Sequence, residues 1–79
     1  MENEQPTGKP TAEVRLGNIR AAIWESAADG NTWYSATFER LYKDGDAWKS
    51  STSFGRDDLL VVAKVADQAH SKIHELKGA

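Results

Sequence analysis

The chain has 79 residues and no cysteine, and its 10 Lys and Arg against 12 Asp and Glu give a formal charge of −2. A chain this short buries only roughly 60% of the surface its unfolded state exposes, so it forms one domain of marginal stability. Without cysteine it has no disulfide and no thiolate metal site, which leaves association with a second subunit as the remaining supplement.

No apolar run approaches the roughly 20 residues of a membrane span. The start, Met1-Glu2-Asn3-Glu4-Gln5, has neither a basic nor an apolar leader segment, so the sequence reads as intracellular and cytoplasmic, with nucleoid association compatible. The acidic balance argues against a general polyanion binder, because such domains carry a clear basic excess. Any nucleic-acid site is therefore a local surface.

Residues 1–12 are polar, contain Pro6, Gly8 and Pro10, and follow no structural period, which predicts a disordered tail ahead of a domain over 13–79. From Glu13 the apolar residues alternate. A two-residue Gly17-Asn18 turn would set Leu16 opposite Ile19 and Val14 opposite Ala21, uniting both strands on one face. The alternative is one continuous strand bent or bulged at Gly17.

Glu25 to Thr32 has the composition of a loop, and Trp33 to Tyr42 that of a strand rich in aromatic and β-branched residues. The following Lys43-Asp44-Gly45-Asp46 is a hairpin signal, and a fourth strand runs from Ala47 to about Phe54. Two registers compete there. A two-residue Asp44-Gly45 loop puts Phe38 and Phe54 on opposite faces. A three-residue Lys43-Asp44-Gly45 loop with a glycine bulge unites Tyr34, Ala36, Phe38, Trp48 and Phe54, and is preferred on that ground.

Asp57 to about Lys77 is predicted helical, with Leu59, Val62, Ala66, Ala69, Ile73 and Leu76 forming a stripe and Gly55 as N-cap. The fold class is α+β: a four-stranded antiparallel ββββ sheet followed by one long C-terminal helix. The first half of the helix, with Leu59, Leu60, Val61, Val62 and Val65, is apolar beyond one face. That excess predicts a homodimer, with Val61 and Val65 at its interface.

The sheet face away from the helix is expected to present Arg15, Arg20, Trp24, Trp33, Ser35, Thr37, Lys49, Ser51 and Ser53, with Glu13 and Glu39 as its acids. Bases could stack on such tryptophans while the cations meet phosphates. An ordinary solvent face is the competing reading. His70 and His74 have the spacing of two metal ligands but no third nearby beyond Glu75, so they read as a solvated helix edge, and no metal or cofactor is expected. No Gly-x-Ser-x-Gly elbow and no Gly-rich phosphate loop occurs, which argues against an enzyme and against a small-molecule substrate.

The run Val14-Arg15-Leu16-Gly17-Asn18-Ile19-Arg20, followed by strands, an acidic glycine turn, a fourth strand and one long helix, resembles the transcriptional coactivator family of positive cofactor four. The core from Arg15-Leu16-Gly17 through Leu41-Tyr42-Lys43-Asp44-Gly45 to Ser53-Phe54-Gly55-Arg56-Asp57-Asp58-Leu59 is also similar to that of a group of small uncharacterised bacterial proteins. The resemblance covers residues 13 to about 77. It implies a homodimer formed through the helices that binds single-stranded DNA across a curved sheet, with Arg20, Arg40, Tyr42 and Lys49 matching nucleic-acid-contacting positions. The expected function is thus a single-stranded nucleic-acid-binding module, DNA or RNA, acting as a transcriptional regulator or coactivator-like protein. The alternative is a homodimeric interaction or structural domain that keeps the fold without the binding.

Overall fold

Three tight turns set the topology of the sheet. The computed structural model of the protein describes residues 9–78. Its first hairpin joins β1 (Ala12–Leu16) to β2 (Ile19–Ala28), with Leu16 opposite Ile19 and Val14 opposite Ala21, as the alternation requires. The pairing excludes one continuous bent strand. Thr11 donates its N–H to the Ile23 carbonyl at 2.8 Å, so the sheet takes in the last two residues of the expected tail. Residues 1–8 of that tail lie outside the described residues.

The second hairpin corrects the expected loop over 25–32. β2 continues to Ala28 and β3 (Asn31–Asp44) begins two residues later. Asp29 and Gly30 both have positive φ, 53° and 79°, which is the type I′ geometry whose twist matches the flanking strands.

The third hairpin corrects both registers weighed from the sequence. Asp44 lies opposite Ala47, so the turn is Gly45-Asp46 and Gly45, at φ 65°, supplies the positive dihedral at its first position. β4 (Ala47–Ser51) ends before Phe54, which reaches the helix side from the irregular segment that follows and packs partly against the core.

The strands form one antiparallel sheet in the order β1-β2-β3-β4 but are strongly staggered. β1 pairs with Ile19 to Ile23 of β2, while β4 pairs only with Arg40 to Asp44 of β3. Two-stranded wings therefore project from the centre: residues 24–35 at one end and 40–51 at the other. The molecule measures 45 × 24 × 21 Å.

A 3-10 turn at Arg56–Asp58 leads into α1 (Leu59–Leu76). The Gly55 N–H donates to Asp58 Oδ2 at 2.8 Å and the Asp58 N–H to the Gly55 carbonyl at 2.9 Å, which satisfies donors that a helix start leaves open. The helix lies over β1 and β2 and barely reaches β3. Its buried row centres on Val65 and Ala69 against Ile19, Ala21 and Ile23, with Val61, Val62 and Ile73 half-buried around them. The expected stripe is thus one residue out of phase at Ala66, and its end members Leu59 and Leu76 are exposed. No helix among the described residues is long and apolar enough to cross a membrane.

Candidate nucleic-acid interface

Alternation along each strand assigns the faces. Ile19, Ala21 and Ile23 point to the helix, so Arg20, Ala22, Trp24 and Ser26 form the open face of β2, and register carries that face to Trp33, Ser35, Thr37, Glu39, Leu41 and Lys43. On β4 the same face holds Trp48 and Ser50, the partners of Lys43 and Leu41. All three tryptophans of the chain therefore share the open face.

Trp48 is a correction, since the expected register put it beneath the helix. A shift by an odd number of residues turns every side chain of a strand over. The same shift removes Lys49 and Ser51 from the open face. The expected site residues divide accordingly: Arg15, Arg20, Trp24 and Trp33 share the open face, whereas Arg40, Tyr42 and Lys49 lie on the other. Ser53 follows the end of β4 and belongs to neither strand face.

The open face has two unlike ends. At the β3–β4 end, Arg15, Arg20, Leu41, Trp48 and Ser50 line a shallow depression of about 620 Å³, to which Lys49 also contributes from the opposite face of β4. Trp48 is 66% exposed and Lys43 Nζ sits 6.0 Å from its ring centroid, a cation–π contact. Across the wing, Arg40 stands 5.5 Å from the Tyr42 ring, while its Nε is 3.6 Å from Asp58 Oδ2 and donates to the Ser53 carbonyl at 3.2 Å. Lys49 is paired with Asp44 at 2.9 Å.

At the β2–β3 end, Trp24 donates its indole N–H to Thr37 Oγ1 at 3.0 Å, and Trp33 is 50% exposed. No Lys or Arg occurs from residue 21 to residue 39. Trp33 therefore has no cation on either strand of its wing, whereas Trp24 shares a depression of about 380 Å³ with Arg20, whose guanidinium is engaged by Glu39. Trp33 and the partner of Trp48 are ten positions apart on β3, or about 33 Å at 3.3 Å per residue, so one base stack does not span both ends.

Between the ends, Arg15, Arg20 and Glu39 form a row across three strands. Arg20 donates through Nε to Glu39 Oε2 at 2.8 Å, and its Nη2 reaches the same oxygen. The Arg20 hydrogen bond holds the Glu39 carboxyl below the ordinary carboxylate range; partial burial opposes this, and the Ser50 hydroxyl adds to it. A carboxylate with a depressed native pKa stabilises the fold above its unfolded value of about 4.3, and that contribution disappears as pH falls through the native value. Glu39→Gln should therefore melt below wild type at pH 7, by no more than about 1 kcal/mol for a pair this near the surface. The gap should begin to narrow below about pH 4 and close once pH has fallen through the depressed native value. A gap that persists in acid would assign the loss to something other than the ion pair.

The helix carries the other expected residues. Val65 is 0% exposed and belongs to the chain's own core, so a partner cannot touch it; Val61 is half-buried beside that core. The exposed apolar residues at this end are instead Leu59 and Leu60. His70 and His74 are exposed, and no group of three metal-ligating side chains gathers among the described residues. Compared with known proteins, the chain matches no family model, no curated protein and no solved structure.

Proposed function

We propose that the chain is a homodimeric single-stranded nucleic-acid-binding module, a coactivator-like regulator rather than a catalyst, whose contact surface lies at the β3–β4 end of the open face. The observation that carries the reading is Trp48, the most exposed aromatic residue of that face, set beside Lys43, Arg15 and Arg20. Aromatic rings take the faces of unpaired bases without regard to sequence, and adjacent cations take the phosphates. Arg40, Tyr42 and Lys49 line the opposite side of the same wing, where a strand wrapping its edge would meet them.

The test is binding of labelled oligonucleotides at 50 mM salt. Single strands should bind more tightly than duplex and weaken steeply as salt rises. Trp48→Ala should cost about 1–3 kcal/mol for a stacked base, and Arg15→Ala should reduce both affinity and salt dependence, while Lys64→Ala on the helix changes neither. Absence of binding at micromolar protein would sink the proposal.

The second reading, a homodimeric protein-interaction domain, is favoured by the cation-free stretch of residues 21–39 around Trp24 and Trp33. It predicts no oligonucleotide binding. Under the first reading Trp33→Ala leaves oligonucleotide affinity close to wild type, because no cation on that wing holds a phosphate nearby.

A further inference from the structure

We propose that Glu39 is an intrachain stand-in for phosphate that occupies Arg20 and so limits how tightly the open face holds a nucleic-acid strand. The inference rests on the single-strand reading above and names the residue that sets its strength.

The geometry is that of a competitor. Arg15 and Arg20 are register partners, two like charges directly opposite each other, an arrangement that destabilises a sheet unless an anion sits beside it. Glu39 is the register partner of Arg20 on its other side and supplies that anion, with two donors of the guanidinium directed at one carboxylate oxygen. Both side chains are partly buried, 33% and 26% exposed, yet Arg20 still lines the depression that contains Trp48. A phosphate arriving there would find one of its two central cations engaged. Guanidinium donors take carboxylate and phosphate oxygens in the same way, so the two anions compete for one group.

The charge tally on this face shows how much one carboxylate matters. Arg15, Arg20 and Lys43 face Glu13 and Glu39, three cations against two anions, for a net of +1. Removing Glu39 doubles it. A single strand releases counterions with a slope of about −0.7 per phosphate, so one added contact strengthens binding about 8-fold at 50 mM salt relative to 1 M.

The experiment measures oligonucleotide affinity against salt for wild type, Glu39→Gln and Glu25→Gln. Glu25 changes the net charge equally but lies on the opposite face of the β2–β3 wing, so it reads the general electrostatic effect alone. Glu39→Gln should bind several-fold more tightly than both, with a salt slope steeper by about 0.7. Combined with Arg20→Ala, it should show no gain beyond the Glu25 control, because the cation it frees is gone. Glu39→Thr, a good strand residue, repeats the comparison should the amide disturb the fold. Wild-type binding with Glu39→Gln equal to the control, or weaker, overturns the role of Glu39 alone. No binding by wild type or by either Glu39 variant overturns the single-strand reading with it.

Discussion

Val65→Asp should abolish the cooperative thermal transition of this protein. The fully enclosed core is small, formed by Ile19, Ala21, Ile23, Val65 and Ala69. A domain of this size holds a net stability of only about 5 kcal/mol. Burying a valine side chain contributes about 1.5–3 kcal/mol, and an unpaired carboxylate in its place adds several more of desolvation, so the sum exceeds what the fold has. Val65→Ala, which removes the methyls without adding charge, should lower stability by about 2 kcal/mol and leave a measurable melt. The same aspartate at Leu60, five residues earlier and 83% exposed, should leave the far-UV spectrum of the helix unchanged. A cooperative melt in Val65→Asp close to wild type would mean that the helix is not seated on β1 and β2 through this residue.

The first hairpin was legible because both of its strands bury one face, so the apolar alternation and the Gly17-Asn18 turn agree on a single register. The second carried an equally good signal, Asp29-Gly30, but its flanks are Ser26, Ala27, Ala28 and Thr32. They lie in a two-stranded wing without a core beneath, so no alternation announced the strands. At the third hairpin the sequence pattern favours the register that unites Phe54 with Phe38 on one strand face. Phe54 does reach the helix side, but from beyond β4, which freed the turn to settle at Gly45-Asp46 and moved Trp48 to the open face. The strongest aromatic residue of the candidate site was therefore hidden by a three-residue shift of register, which is odd and so turns the strand over.

The helix was found at nearly its observed length, but its phase was not. Leu59 to Val65 is apolar except for Lys64, so a spacing of three and four could be threaded through Ala66 as readily as through Val65. What the spacing lacks is the position of the sheet. Val65 falls inward because the helix begins at Leu59 after the Gly55–Asp58 turn, and that start fixes which residues face Ile19 and Ile23. The apolar excess noted in the sequence is real, yet it resides in Leu59 and Leu60.

A second copy of the chain should cover that excess, and Leu60→Asp should convert the wild-type dimer to a monomer that remains folded. Leu60 is the most exposed large apolar side chain among the described residues, and Leu59 beside it is 54% exposed. The cover beneath β3 is also incomplete: the helix barely reaches it, and Tyr34, Ala36 and Phe38 are only half-buried. Among the described residues no strand lies beside the outer edge of β3 from Asn31 to Glu39, because β4 ends opposite Arg40. Its first eight residues, Asn31 to Phe38, carry no charge and no proline to blunt it. Two copies related by a two-fold axis lose the leucine twice, about 3–6 kcal/mol if each is fully covered, which is more than a hundredfold in dissociation constant. Sedimentation equilibrium of wild type and Leu60→Asp, with circular dichroism on both, reads the two effects separately. Wild-type protein that sediments as a monomer at high micromolar concentration would refute self-association, and a dimer that survives Leu60→Asp would move the interface from the helix to the β3 edge.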